Sequence, residues 1–309
     1  MSARTVAPVL LLLILVPIQS SAQSQSTSKP DTELTFLTVT VRNKSGNFIM
    51  GVPRQSFTLF DEKETPLIEF FENVDTPMSI GFLVDTSGSM QFYETKDIAR
   101  AAAIGETLSH FVELSNPKSE FFVLAFDNQP RALTDWKVGQ DLLAEKIRLS
   151  PEQHNTAFYD AVLLGMQKFE TAHYAKRVLI VFTDGQDNSS KATFVQLRER
   201  LKRSDVSLYA VGIAMPRDIG SALGMEGQGI LDELTETTGG DAIYPHDKKE
   251  MRSSIETIAT ELRHQYRLGF RANPAGKWHR LKLKITPRPD APPEFKSLSA
   301  KTRLGYYAN

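Results

Sequence analysis

The chain of 309 residues contains no cysteine, which excludes a disulfide framework and a thiolate metal site. It also lacks an excess of either charge. Its 36 Lys and Arg against 37 Asp and Glu leave a formal net charge of −1, so nothing in the charge favours a nucleic-acid partner. The apolar run near the N-terminus is too short to span a bilayer comfortably, which disfavours a retained anchor, and no other long apolar stretch exists. A hydrophobic content of 41% is enough for a substantial core, as in an ordinary soluble globular protein.

The N-terminus has the pattern of a secretory signal. Arg4 supplies a positive flank, residues 9–16 form a Leu-rich core, and Ser20-Ser21-Ala22 is a small-residue cleavage site. We therefore predict that residues 1–22 are removed and that a polar linker over 23–32 follows. The protein is expected to be exported to a periplasm, the cell surface or the surroundings, without a stable membrane span.

Two short β-rich segments flank the middle of the chain, one over 33–75 and the other over 265–309. Each has strand patterns separated by turn residues. Because each is too small to hold a core alone, we expect them to pack together as one small β-sandwich-like domain, with the middle of the chain inserted between its halves.

The middle segment, 76–264, alternates continuously apolar strands with amphipathic helices. This alternation predicts an α/β fold: a doubly wound, mostly parallel, Rossmann-like sheet covered by helices on both faces. The last helix is expected over about 247–264. The glycine-rich stretch 224–229 is interpreted as a flexible loop, because no strand precedes it and no Lys-Ser or Lys-Thr follows. The strands are expected at 78–84, 120–126, 177–183, 206–213 and 241–244.

Oxygen-bearing side chains follow the strands and precede the helices of this segment. The pentapeptide Asp85-Thr86-Ser87-Gly88-Ser89 ends the first apolar strand, and Thr156 and Asp184 occupy later junctions. A doubly wound sheet gathers such junctions at one edge. Taken singly, each has an ordinary explanation, since the hydroxyls are typical helix caps and Asp184-Gly185 is a common turn. Together they form an all-oxygen set with two negative charges, which suits Mg²⁺.

The same residues carry a resemblance to a known family. Asp85, Ser87 and Ser89, then Thr156, then Asp184 match the Asp-x-Ser-x-Ser, Thr and Asp pattern of the metal-ion-dependent adhesion site. Residues 76–264 thus resemble a von Willebrand factor type A (VWA) domain. The flanks resemble an exported VWA-related bacterial group known chiefly from acidobacteria.

One departure from the family pattern is His154, where a Gly often stands, although no ligand is lost.

The resemblance implies a Mg²⁺-dependent adhesion or assembly module, with Mn²⁺ or Ca²⁺ as alternative cations. Its partner would be a protein that presents an Asp or Glu to the metal. The resemblance also implies two arrangements of the site. Thr156 and Asp184 would exchange direct contact with the metal for contact through a water molecule, and this exchange would be coupled to a movement of the last helix. The oligomeric state stays open.

The sequence is also compatible with two other functions. One is a structural envelope component whose metal is stabilising or vestigial. The other is a metal-dependent hydrolase, which is disfavoured because Ser87 replaces the second Asp of a phosphotransferase Asp-x-Asp and no Gly-x-Ser-x-Gly elbow is present. The six histidines lack zinc-site spacing, so we predict that the protein is not an enzyme. Asp127 and Asp187 are interpreted as carboxylates beside the metal or as exposed turn residues.

Overall fold

The computed structural model describes residues 34–88, 97–145, 147, 149, 155–213, 220–273, 276–289 and 291–307, all within one compact unit. Several of the predictions lie outside these residues: the signal segment 1–22, the linker 23–32, Ser89 and His154. They stay predictions. Within the described part of the chain, no helix is both long and apolar enough to cross a membrane.

The described chain alternates strands and helices in its middle and is β-rich at both ends. The strands are β1 (Leu34–Asn43), β2 (Phe57–Asp61), β3 (Ile68–Glu72), β4 (Ser79–Asp85), β5 (Glu120–Phe126), β6 (Pro130–Ala132), β7 (Lys137–Val138), β8 (Arg177–Thr183), β9 (Ser207–Gly212), β10 (Ala242–Ile243), β11 (Tyr266–Arg271), β12 (Trp278–Ile285), β13 (Leu298–Lys301) and β14 (Gly305–Tyr307). The helices are α1 (Asp97–Leu114), α2 (Gly139–Ala144), α3 (Phe158–Lys168), α4 (Phe194–Lys202), α5 (Ala222–Thr238) and α6 (Lys248–Arg263).

The central sheet is mostly parallel and has the strand order β10-β9-β8-β4-β5-β6. Among the described strands of this sheet, only β6 and β7 run antiparallel, and both pair with β5. Strand β4 is buried along its whole length because its side chains alternate between two cores. Phe82 packs on the face covered by α1 and α6, whereas Leu83 packs on the face covered by α3, α4 and α5. This explains why the strand is continuously apolar instead of alternating.

The two β-rich flanks pair with each other. Strand β1 from the first flank pairs with β11 and β13 from the second, and β2 pairs with β12. The strands form a four-stranded sheet, β13-β1-β11-β3, and a three-stranded sheet, β14-β12-β2. One apolar core lies between them and includes Val39, Leu59, Tyr266 and Phe270. This small antiparallel unit is called the β module below.

The predicted fold class is confirmed: the described residues form an α/β fold with a mostly parallel central sheet and flanking antiparallel sheets. The domain boundaries at 75/76 and 264/265 stay a prediction. The last helix ends one residue from the expected position, with Asp247 as its N-cap.

The loop prediction for residues 224–229 is wrong, because these residues lie inside helix α5. Ser221 caps the N-terminus of α5, its Oγ accepting from the Gly224 N–H at 3.0 Å, and Gly239 ends the helix in the left-handed conformation at φ 85°. Leu231 and Leu234 anchor the helix in the core. The burial of this face outweighs the low helix propensity of the glycines.

Candidate metal-binding site

The carboxylates of Asp85 and Asp184 follow two neighbouring parallel strands. Asp85 is the last residue of β4, and Asp184 comes directly after β8. The chain leaves β4 for β5 on one side and later returns to β8 on the other side. The two residues therefore flank the point where the strand order reverses, which is where open α/β sheets bind their ligands.

Asp85 is held rigidly at this edge. Its side chain is only 2% exposed, its Oδ2 accepts from the Thr183 hydroxyl at 2.7 Å, and its Oδ1 accepts from the Ser87 backbone N–H at 2.9 Å. Burial, and then the negative charge of Asp184, raise the pKa of Asp85 to about 7 in spite of the hydrogen bonds from Ser87 and Thr183. The two carboxylates are thus close enough to repel each other.

Thr156 is fixed by the loops that follow β5 and β8. Its N–H donates to the Asn188 side-chain oxygen at 2.7 Å, and its carbonyl accepts from the N–H groups of Asn188 and Ser189 at 3.0 and 3.1 Å. The next residue, Ala157, donates to the Asp127 carbonyl at 2.6 Å. The buried Thr156 therefore lies at the same edge of the sheet as Asp85 and Asp184.

Thr156 does not cap the following helix, so that alternative for its hydroxyl is wrong. The N-cap of α3 is Ala157, which has no capping side chain. Instead Asp187, from the loop after β8, accepts from the Tyr159 N–H at 2.9 Å. Ser190 of the same loop accepts from the Asp160 N–H at 3.0 Å. Among the described residues, none hydrogen-bonds to the Thr156 hydroxyl.

The turn after β8 is pressed against the backbone of α5. A Cβ atom on Gly227 would lie 2.3 Å from the Asp184 carbonyl oxygen, and one on Gly185 would lie 2.3 Å from the Gly227 carbonyl oxygen. Gly185 also has a φ of +84°, a conformation that favours glycine. Asp184 Oδ1 accepts from the Gln186 N–H at 3.0 Å, which confirms the turn interpretation of Asp184-Gly185.

The other carboxylates and several supporting residues have structural partners. Asp127 is buried, not exposed, and its Oδ2 accepts from the Arg131 guanidinium at 2.8 Å. Asp187 serves as the cap of α3. Two supporting residues were not predicted from the sequence: Thr183, which orients Asp85, and Asn188, which orients Thr156. The position of Thr183 directly before Asp184 could have indicated its role. In the described part of the chain, no three His, Asp or Glu side chains gather as a metal-binding group.

The mostly parallel sheet, with Asp85 and Asp184 at the point where its strand order reverses, places the protein in the doubly wound α/β class. The chain belongs to the von Willebrand factor type A domain family, whose sequence model matches residues 79–261. Domains of this family generally act as protein-interaction or adhesion modules rather than as enzymes.

Solved structures with a similar fold come from several organisms. The PilB minor pilin from Streptococcus sanguinis has a TM-score of 0.50 and 12% identity, with 62% of each chain covered. BatB from Bacteroides thetaiotaomicron has a TM-score of 0.48 and 16% identity over 60% of this chain and 98% of that one. A von Willebrand factor type A protein from Catenulispora acidiphila has a TM-score of 0.46 and 12% identity over 91% of this chain and 74% of that one. No curated protein matches the chain.

Proposed function

We propose that this protein is exported and that it binds a protein partner through a divalent cation, Mg²⁺, held at the crevice between β4 and β8. The proposed ligands are oxygen atoms of Asp85, Ser87, Ser89, Thr156 and Asp184. Four of the five lie in the described part of the chain, and all four are buried there.

The observation that carries this proposal is the pairing of Asp85 and Asp184 at the ends of adjacent strands. Two buried carboxylates that repel each other cost folding free energy unless something offsets their charge. No Lys or Arg among the described residues hydrogen-bonds or ion-pairs with Asp85. A hard dication at this point would offset both charges, and the oxygen-only donor set fits it.

The hydroxyl ligands Ser87 and Thr156 would determine how much positive charge a bound cation keeps. Ser87 and Thr156 contribute neutral oxygens, so the four described ligands bring only two formal negative charges, those of Asp85 and Asp184. A divalent cation, when bound there, would supply a positive centre able to accept an Asp or Glu carboxylate of the partner. Thr183 and Asn188 would keep Asp85 and Thr156 in place, by the hydrogen bonds described above. We infer binding, and not turnover, as the activity of this site.

Metal binding can be measured without knowing the partner. Isothermal titration of the protein with Mg²⁺, after EDTA treatment and dialysis, is expected to show one site per chain. Asp85→Asn and Asp184→Asn should each weaken binding by at least about tenfold, since each removes a charged ligand. Asp205→Asn, at the opposite edge of the sheet, is the matched control and should bind as the unmodified protein does. Undetectable binding of Mg²⁺ and Mn²⁺, or equal affinities in all variants, would overturn the proposal.

The partner-binding step needs a second experiment. Native envelope extract passed over the immobilised protein should yield a partner that EDTA elutes and that Asp85→Asn fails to retain. A partner retained equally in EDTA and by Asp85→Asn would favour a structural role in which the cation only stabilises the fold.

A further inference from the structure

A second cleft, of about 540 Å³, lies at the opposite edge of the central sheet from Asp85 and Asp184. It is formed by the ends of α3 and α4 and by the starts of β8 and β9, where Arg177 and Val206 lie. Because β8 and β9 are parallel, their amino ends cannot share the edge that carries the proposed metal ligands. The cleft is therefore a separate feature of the molecule.

Three arginines line this cleft: Arg177, Arg200 and Arg203. Arg177 is held in place because its terminal nitrogen donates to both Asp205 oxygens at 3.1 and 3.2 Å. Its Nε is buried and has no hydrogen-bond partner among the described residues. Arg203 stacks on the Tyr307 ring, with Cζ 3.7 Å from the ring centroid. In the described part of the chain, no carboxylate pairs with the guanidinium of Arg200 or Arg203.

The net charge of the lining is positive. Glu170 and Asp205 are the carboxylates of the lining, against three guanidinium groups. The carboxyl end of α4 would otherwise repel an anion through its exposed carbonyls. Arg303 compensates for this, since its guanidinium donates to the carbonyls of Lys202 and Ser204 at 2.9 and 2.5 Å. The cleft is thus suited to an anion.

Beside the charged groups, the lining contains the polar residues Gln167 and Ser204 and an apolar part. Leu163, Met166 and Phe169 from α3 and its final turn form the apolar part together with Val206. A ligand that satisfies both parts of the lining needs an anionic head and an apolar body. Guanidinium groups match the planar geometry of a carboxylate, to which they can donate two parallel hydrogen bonds.

We propose that this cleft binds a free organic acid in which a carboxylate is attached to an apolar group. Its volume lies within the range of small-molecule sites. The carboxylate lies between Arg200 and Arg203, and the apolar group lies against the half-buried side chains of Leu163 and Met166.

The test uses the full-length protein and octanoate as the probe. Isothermal titration is carried out in EDTA, so that a carboxylate cannot bind through a cation at the other edge and the outcome does not depend on the proposed metal site. Octanoate should bind saturably, and octanamide, which lacks the charge, should not. Arg200→Gln and Arg203→Gln should each weaken octanoate binding by at least about tenfold.

Arg198→Gln is the matched control, because Arg198 lies on the same helix but pairs with Glu233 at 2.8 Å, away from the cleft. It should change the affinity by less than about twofold. Arg200 is exposed and bonded to no described side chain, so its replacement leaves the fold intact. Non-saturable octanoate binding, or an equal loss in Arg198→Gln, would overturn the proposal. It would also be overturned if the acetylated peptide Leu-Glu-Leu amide bound and octanoate did not.

Discussion

The hydroxyl of Thr40 donates a hydrogen bond of 2.7 Å to the carboxylate of Glu261, and this bond joins the β module to the last helix of the α/β domain. Glu261 is only 1% exposed. Its other oxygen, Oε2, accepts from the Arg42 guanidinium at 2.8 Å. The Tyr209 hydroxyl of β9 donates at 3.0 Å to Oε1, the oxygen that Thr40 also contacts. Three elements from the two parts of the molecule thus meet at one buried carboxylate.

Glu261→Ala is expected to destabilise the whole protein. The substitution leaves the Tyr209 hydroxyl without its acceptor and the Arg42 guanidinium with Asp241, at 3.0 Å, as its remaining carboxylate, which costs about 2–4 kcal/mol of unfolding free energy. Urea unfolding followed by circular dichroism measures the change. Lys249→Ala, at an exposed position of the same helix, should cost less than about 0.5 kcal/mol. A loss below about 1 kcal/mol in Glu261→Ala would show that the junction does not depend on this carboxylate.

Mg²⁺ should raise the thermal stability of the protein. If the cation binds the folded chain alone, a concentration of 100 times its dissociation constant adds about 2.7 kcal/mol to the unfolding free energy. Differential scanning calorimetry with Mg²⁺ and with EDTA measures this shift. Asp184→Asn should show a much smaller shift, and if it responded to Mg²⁺ as fully as the unmodified protein, Asp184 would not be a ligand.

Gly227→Ala should disturb the proposed metal site from a distance. Its new Cβ would lie 2.3 Å from the Asp184 carbonyl oxygen, so the turn after β8 must shift. We expect a loss of about 1–3 kcal/mol in unfolding free energy and weaker Mg²⁺ binding. Gly229→Ala is the control on the same helix, since no atom lies within 4 Å of its new Cβ. It should be neutral or stabilise the helix by up to about 1 kcal/mol, and an equal loss in both variants would contradict the contact argument.

Asp187→Ala should loosen the start of α3. Asp187 is the acceptor for the Tyr159 N–H, so its loss is expected to cost about 1–2 kcal/mol. Hydrogen exchange of the Tyr159 amide should become faster. Asp135→Ala, which breaks an exposed ion pair with Lys168 at the other end of α3, should cost less than about 0.5 kcal/mol. Unchanged exchange at Tyr159 would mean that another group caps the helix.

Lys176 should make the unfolding free energy change with pH in the alkaline range. Burial lowers the pKa of its amine from 10.5 to about 8, against the opposing charges of Asp75, Glu261 and Glu72. Between about pH 8 and pH 10 the unfolded chain therefore binds more protons at this group than the folded chain does, so the contribution of Lys176 to stability rises with pH. Urea unfolding across this range should show the unmodified protein gaining stability relative to Lys176→Met. A difference that stays constant with pH would contradict the lowered pKa.

The fold class could be predicted from the sequence because a strand that is buried on both faces is continuously apolar. The continuous apolar run ending at Asp85 indicated a strand packed on both faces, and the structure places it in the middle of the sheet. Helix α5 was not predicted because glycine has a low helix propensity. Gly227 is needed there because it contacts the backbone of Asp184, and this contact between distant residues exists only in the folded chain.

The candidate site was predictable in part. Placement after parallel strands indicated that Asp85 and Asp184 share one edge of the sheet, and both lie there. The supports of the site were not predictable, since Asp187 caps a helix that begins almost thirty positions earlier in the chain. Such long-range hydrogen bonds leave no local periodicity in the sequence. Whether the five residues bind a metal stays a prediction.

The pairing of β1 with β11 has a consequence for how the protein is made. Strand β1 precedes the α/β domain in the chain and β11 follows it, so β1 is synthesised before its partner and cannot pair with it until β11 has been made. During that interval β1 presents an unsatisfied edge, and Phe36 and Val39 are open to wrong pairing with other chains. Aggregation of the unfinished chain is therefore favoured until β11 has been made and has paired with β1.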